Sequence, residues 1–329
     1  MSYKTVNGLM KHLRSKGIKI KGSKQKRQLI NNGYFHGYKG YRYFKYPNNR
    51  LPFTSYKDIN STIDFDLKLK ALLYPKIMYI ETALKSIVTE ILITNDRSYD
   101  IRDMLDKAVL GYKNCPYNST KAERNKYQKN KLDLEARIRN ILRTNYNNNS
   151  IKHYYQSGRY DDVPIWALIN IMTFGDLGHL IETFTFDVRN KISNQLNISN
   201  HYDQQRQFIY HSIFLLKDLR NAIAHNGVIF DARFRTYTTK PCVINTIRDE
   251  INLNYISYEY IDDYIISIVF VLKKLGTNIN ELASFIENFQ EIIIWYQATV
   301  DISISSMVIK TDLSLRVNYL MSYIKTQHF

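Results

Sequence analysis

The sequence predicts an all-α fold, and three observations carry the prediction. Gly (12) and Pro (6) together make about 5% of the 329 residues, well under the usual ~12%, so a β-rich architecture with many tight turns is disfavoured. Apolar residues recur at helical spacing over long stretches. Pro164 before Ile165-Trp166, and Asn226-Gly227 after a long apolar stripe, punctuate those stretches as helix boundaries do.

The elements follow in order. Leu9, Leu13, Leu29 and Ile30 suit two short helices joined by Lys16-Gly17 and Lys21-Gly22-Ser23. From Asp58 to about Glu90, Ile63, Leu67, Leu69, Leu73, Ile77, Ile80, Leu84 and Ile87 mark a core helix that Pro75 is expected to kink or divide. Residues 95–118 read as loop and a short helix. Residues 121–143 read as a basic helix with Leu132, Leu134, Ala136, Ile138, Ile141 and Leu142 inward, closed by the polar run 145–150, the best internal linker. Short helices are expected at Pro164 and at Gly175-Asp176. A long helix is expected over 203–225, with Phe208, Ser212, Leu215, Leu219 and Ala222 on one stripe. A short extended piece within 234–247 and helices over 258–275, 279–296 and 311–326 complete the chain. The domain reading is a basic segment 1–57, a helical core 58–235 and a helical extension 236–329.

Charge is unevenly placed. The chain carries 46 Lys+Arg against 30 Asp+Glu, a net +16, and residues 1–50 hold thirteen of the cations with no acid before Asp58. Such a balance points to a polyanionic partner. The longest apolar run, near Ile265–Leu272, is far short of the ~20 residues of a spanning helix, and no charged-then-apolar leader opens the chain, so no membrane partner and a cytoplasmic setting are expected. Cys115 and Cys242 lack any C-x-x-C pattern, which suggests neither a disulfide framework nor a thiolate metal site. Ile, Asn, Lys and Tyr all have A/T-rich codons, so the 27 tyrosines matter only by placement. Over residues 32–45 rings alternate with basic residues. Two readings stand there: phosphate contacts with base stacking, or rings that anchor an irregular loop on the core. Candidate nucleic-acid contacts are Lys19, Lys21, Lys24, Lys26, Arg27, Tyr41 and Arg42, with Lys126 and Lys129 on the basic helix.

Leu219-Arg220-Asn221-Ala222-Ile223-Ala224-His225-Asn226-Gly227 is the candidate site. Asn221 and His225 stand at i,i+4 and project together. Arg220 lies ~140° from His225 on an ideal helix but has a long side chain that bends toward the same end. With Gly227 as the residue after the cap, His225 falls in the last turn, where the helix dipole favours imidazolium. A proton-transfer group beside a permanent cation is what phosphodiester cleavage requires. The same residues also fit a His that caps the helix end and an Arg paired with Asp218. No His/Cys/Asp/Glu cluster has metal-ligand spacing, so neither metal nor cofactor is expected.

Several blocks in order resemble the Abi-like (abortive infection) phage-defence family, within the HEPN superfamily of α-helical ribonucleases. They are Leu13-Arg14-Ser15-Lys16-Gly17-Ile18 with Leu29-Ile30-Asn31-Asn32-Gly33-Tyr34-Phe35 and Gly40-Tyr41-Arg42-Tyr43-Phe44; Ile63-Asp64-Phe65-Asp66 with Ile80-Glu81; Pro164-Ile165-Trp166 with Met172-Thr173-Phe174-Gly175-Asp176-Leu177; and Arg220-Asn221-x-x-Ala224-His225. Residues 236–329 carry no such block. The family often has a basic residue soon after the His, where this chain has Asn226, Gly227 and Val228. The resemblance implies a HEPN-type helical bundle with a basic N-terminal segment and extra C-terminal helices. It implies metal-independent RNA cleavage at the interface of a homodimer, in abortive infection or a toxin–antitoxin pair. Carried across, His225 is the acid/base, Arg220 the phosphate clamp, Asn221 the residue that orients them, and Glu81 a supporting partner. The alternative is an RNA-binding module that holds a cognate structured small RNA without cutting it.

Overall fold

The computed structural model describes residues 4–94, 96–157 and 160–326. Among them the regular structure is helical and no β-strand forms; strand-like pairing is limited to isolated bridges. The α-helices are α1 (Val6–Ser15), α2 (Gly22–Asn32), α3 (Tyr56–Thr94), α4 (Ile101–Lys107), α5 (Lys121–Thr144), α6 (Ile165–Ile171), α7 (Phe174–Thr183) and α8 (Phe186–Gln195). They continue as α9 (Phe208–Ala224), α10 (Pro241–Ile251), α11 (Ile261–Lys274), α12 (Ile279–Thr299), α13 (Ile302–Val308) and α14 (Leu313–Lys325). None of the described helices is long and apolar enough to cross a membrane.

The chain forms two compact units, each drawn from separated stretches: Met1–Ile77, Asp218–Thr236 and Arg248–Phe329 in the first, Met78–Lys217 and Tyr237–Ile247 in the second. In the first unit the N-terminal half of α3 is a core helix, with Ile59, Phe65, Leu69, Leu73 and Ile77 wholly buried. Phe65 stacks on Tyr296 of α12 with ring centroids 4.2 Å apart, and Thr62 shares a 3.0 Å hydrogen bond with the Tyr296 hydroxyl. The apolar run near Ile265–Leu272 is the buried body of α11. Its first turn carries Asp262 and Asp263 into a buried ion cluster with Lys310 and Arg316. In the second unit α5 buries Leu134, Ile138, Ile141 and Leu142, and its Arg137 pairs with Asp176 of α7 at 3.0 Å. Thr173 and Asp176 form a reciprocal capping box at the start of α7. Gly178 in the same helix permits close approach, since a Cβ there would lie 2.7 Å from Phe214 of α9.

Several expectations are corrected. α3 runs through Pro75 undivided, with Ala71, whose carbonyl loses its helical partner to the missing N–H, on the exposed side of the helix. Leu132 and Ala136 of α5 face solvent, because they fall opposite the 134/138/141 stripe. The run 145–150 forms turns inside the second unit rather than a division of the chain. α9 begins at Phe208, not near Asp203; the Asp203 carboxylate accepts from the backbone N–H groups of Gln207 (2.6 Å) and Phe208 (3.1 Å) and so caps the helix from outside. The extended piece expected in 234–247 is replaced by α10, whose Val243, Ile247 and Ile251 repeat every four residues and are all buried. α13 was not foreseen in the sequence.

Candidate functional site at the end of α9

The last turn of α9 belongs to the first unit and carries the Arg220–His225 motif. Leu219 is wholly buried and anchors the turn. Arg220 and Asn221 are half-buried, and the Arg220 guanidinium donates through Nη1 to Asn221 Oδ1 at 3.2 Å. The His225 N–H donates to the Asn221 carbonyl at 3.0 Å, which keeps the turn helical, while the His225 side chain is exposed. Asp218 takes the backbone N–H and hydroxyl of Thr236 on one oxygen, at 2.9 and 2.6 Å. Motif and following loop are thereby tied at both ends.

The cap differs from the sequence expectation. His225 is itself the C-cap, and Asn226, not Gly227, takes the left-handed conformation, with φ 53°. Asn226 N–H donates to the Ile223 carbonyl at 3.0 Å and Gly227 N–H to that of Ala222 at 2.7 Å, the paired bonds of a Schellman motif. At Gly227 the constraint is space instead: a Cβ there would meet the Ala222 carbonyl oxygen closely, at 3.2 Å.

Beneath this turn lies a network that the sequence reading missed. Asp66 of α3 is wholly buried. One carboxylate oxygen accepts from the N–H groups of Ile229 (2.8 Å) and Phe230 (2.7 Å), and the other from the Tyr41 hydroxyl (2.8 Å) and the Lys70 ammonium (2.8 Å). Lys70 also donates to Asn226 Oδ1 at 3.0 Å. Asp231, likewise buried, accepts from the Lys45 N–H at 2.6 Å and pairs with Arg233, whose guanidinium also reaches the carbonyls of Gly40 and Tyr43 at 2.7 Å. Two of the sequence blocks, 40–44 and 63–66, thus meet the segment that follows the Arg220–His225 block in one buried place. The available signal was Asp66 itself, a carboxylate on the same apolar stripe as Leu69 and Leu73, which has to find partners when buried.

The remaining candidates fall as follows. Tyr41 is 5% exposed, and its ring stacks on Phe230; burial first, and Asp66 second, push its hydroxyl pKa far above the ordinary value. Phe44 is equally buried, against Phe230 and Tyr260. These two rings therefore anchor the 40–45 segment to the core and are not presented for stacking on a base. Lys19, Lys21, Lys24 and Arg27 are exposed, Lys26 and Arg42 half-buried, and Lys126 and Lys129 exposed on α5 of the second unit. Glu81 is also in the second unit, buried and paired with Lys85 at 3.1 Å. Among the described residues no group of three or more His, Cys, Asp or Glu is placed to hold a metal ion, and Cys115 and Cys242 are free thiols.

The network joins residues 41, 66 and 226–233, and a family model described as Abi-like protein matches residues 27–231, spanning nearly all of them. The chain belongs to the Abi-like protein family. No curated protein and no solved structure matches it. The match ends at Asp231, one residue after Phe230, whose N–H is held by Asp66. In this Abi-like chain α11–α14 lie beyond the family region, yet they share the first unit with α1, α2 and the motif turn.

Proposed function

We propose that this Abi-like protein is a metal-independent endoribonuclease of the HEPN type, acting in abortive infection or as the toxin of a toxin–antitoxin pair. The observation that carries the reading is the end of α9. A half-buried Arg220 bonded to Asn221 and an exposed His225 at the cap share one turn, and Asp66 and Lys70 hold the segment that follows. In this reading the RNA 2′-hydroxyl attacks the adjacent phosphorus. His225 of one protomer takes the 2′ proton, and the same residue of a second protomer protonates the departing 5′ oxygen. Arg220 stabilises the charge that develops on the phosphoryl oxygens, and Asn221 fixes the guanidinium. The products are a 2′,3′-cyclic phosphate and a 5′-hydroxyl.

The test is incubation of end-labelled RNA with the protein in excess EDTA. Cleavage to cyclic-phosphate ends, lost in His225→Ala, is the expected outcome. Tight binding of RNA that stays intact would replace the enzyme with an RNA-binding module, a reading favoured by the thirteen cations and absence of acids in residues 1–50.

A further inference from the structure

A cleft of about 540 Å³ in the first unit is lined by Arg14, Lys19, Lys21 and Lys57, and no acidic or aromatic side chain lines it. Its frame is rigid. Ile18 and Ile20 turn inward and are buried, which leaves Lys19 between them pointing out. The Lys19 N–H donates to the Thr54 carbonyl and the Tyr56 N–H to the Lys19 carbonyl, both at 2.9 Å, so this stretch is bridged to the start of α3. The Arg14 guanidinium donates to the Ile20 carbonyl at 3.0 Å across the same wall. None of the four cations has an ion-pair partner among the described residues. The nearest acid in sequence, Asp58, spends its carboxylate on the Ser55 N–H at 2.9 Å and the Thr54 N–H at 3.3 Å. α2 starts at the rim without an acidic residue in its first turn, and its N-cap Lys21 offers no side-chain acceptor to the helix, although the Lys21 N–H itself donates to Gln25 Oε1 at 2.8 Å; the helix dipole adds positive potential.

Four like charges converging on one concavity repel one another, and an anion relieves the repulsion. We propose that this cleft seats the sugar-phosphate backbone of a single RNA strand, engaging successive phosphates and reading no base. The lining supports the last point: with Tyr41 and Phe44 buried elsewhere the cleft has no ring to stack on a base, and the side-chain oxygens of its two neutral polar residues, Gln25 and Ser55, already accept from the Lys21 N–H (2.8 Å) and the Asp58 N–H (3.2 Å). The site rests on the reading of the protein as RNA-binding, but it is separate in its residues from the end of α9 and requires no cleavage.

The experiment measures binding of uncleavable 2′-O-methyl oligouridine and oligoadenosine, and of inorganic tripolyphosphate, across a salt series. The variants are Arg14→Gln with Lys57→Gln, Lys57→Gln alone, and a control with Lys68→Gln and Lys325→Gln. Glutamine at position 14 keeps a donor for the Ile20 carbonyl, and Lys57→Gln alone carries the test if the double variant misfolds. The expected loss for the cleft pair is about 25-fold at 0.1 M salt, with the salt slope shallower by about 1.4, since each single-strand phosphate contact adds about 0.7 to that slope. Both oligonucleotides should lose affinity equally, and the control pair should change little. Equal losses in cleft and control variants would mean diffuse charge and overturn the proposal, as would a loss confined to one base sequence. Tripolyphosphate binding that falls while RNA binding holds would assign the cleft to a small phosphate ligand instead. Wild-type RNA binding together with unmodified RNA that stays intact in the separate EDTA assay would sink the nuclease reading and leave this site standing.

Discussion

Lys70 on α3 donates to the side chain of Asn226, 156 residues further along the chain, at 3.0 Å. Asn226 immediately follows His225, so the turn that presents the histidine is set by an ammonium from another helix. That ammonium is neutralised by Asp66, one helical turn earlier, and the pair is almost wholly buried. Breaking such a pair leaves an uncompensated charge in a low-dielectric place, which costs about 3–5 kcal/mol. Lys70→Met should therefore destabilise the protein by that amount in urea unfolding. Asp66→Asn combined with Lys70→Met should recover part of the loss, because no buried charge then remains. If the double variant is less stable than the sum of the two single changes predicts, the pair is not the source of the cost.

Gly178 supplies a second test of packing. Alanine in place of glycine within a helix gains about 1 kcal/mol from propensity. Here the new Cβ would sit 2.7 Å from Phe214 Cε1 and 3.0 Å from Ile213 Cγ2, both on buried side chains. Overpacking of that kind costs about 1–3 kcal/mol, so the steric effect should outweigh the gain and Gly178→Ala should lower the melting temperature. A rise would mean that the Phe214 ring yields freely.

The helices were legible in the sequence wherever one face stayed apolar for several turns, as in α3, α11 and α12. Boundaries were lost where a residue outside the element makes the cap: Asp203 reaches the start of α9 from a loop, and local propensity carries no sign of that. The extended piece expected within 234–247 gives way to a helix where Val243, Ile247 and Ile251 are buried at i,i+4 spacing. Arg220, Asn221 and His225 could be proposed from the sequence because they adjoin in it. Asp66, Lys70, Asp231 and Arg233 were not, since their partners lie as much as 193 residues away and only folding brings them together. The rings of 40–45 show the same limit: basic and aromatic alternation looks alike whether the rings face a base or a core, and Tyr41 and Phe44 face the core.

Acid sensitivity should trace in part to His211. It is nearly buried in the second unit, bonded through Nδ1 to the Tyr237 hydroxyl, and burial, reinforced by Lys240, lowers its pKa to about 4, with Glu182 opposing. The folded-state value lies below the unfolded one, so the unfolded chain takes up the proton first. Its contribution is present above about pH 6.5 and is lost as the pH falls toward 4. Asp262 acts in the opposite sense, since burial and Asp263 raise its pKa to about 6. Comparison with His211→Gln isolates the histidine. Between pH 6.5 and 4 the wild-type stability curve should be steeper than the variant's by up to one proton, about 1.4 kcal/mol per pH unit. Parallel curves would show that His211 is not held neutral.

The composite arrangement proposed for the nuclease is open to a test by subunit mixing. Arg220 and His225 stand five residues apart at the end of α9, ~140° around the axis, so one protomer offers a clamp and a single proton-transfer group but not a separate acid and base. Two copies about a two-fold axis offer two of each around one phosphate. The two Arg220 guanidiniums gathered there repel when no RNA is bound, so Arg220→Ala should abolish cutting while leaving the dimer as stable as before or more so, and His225→Ala should abolish cutting with the dimer intact. A heterodimer of wild type and His225→Ala keeps one histidine, which can serve as base or as acid but not as both in one turnover. Its cleavage rate, measured after subunit exchange and corrected for residual wild-type homodimer, should fall far below half. A rate of one half would mean that each protomer cuts alone, and the two histidines would then have no shared phosphate to act on.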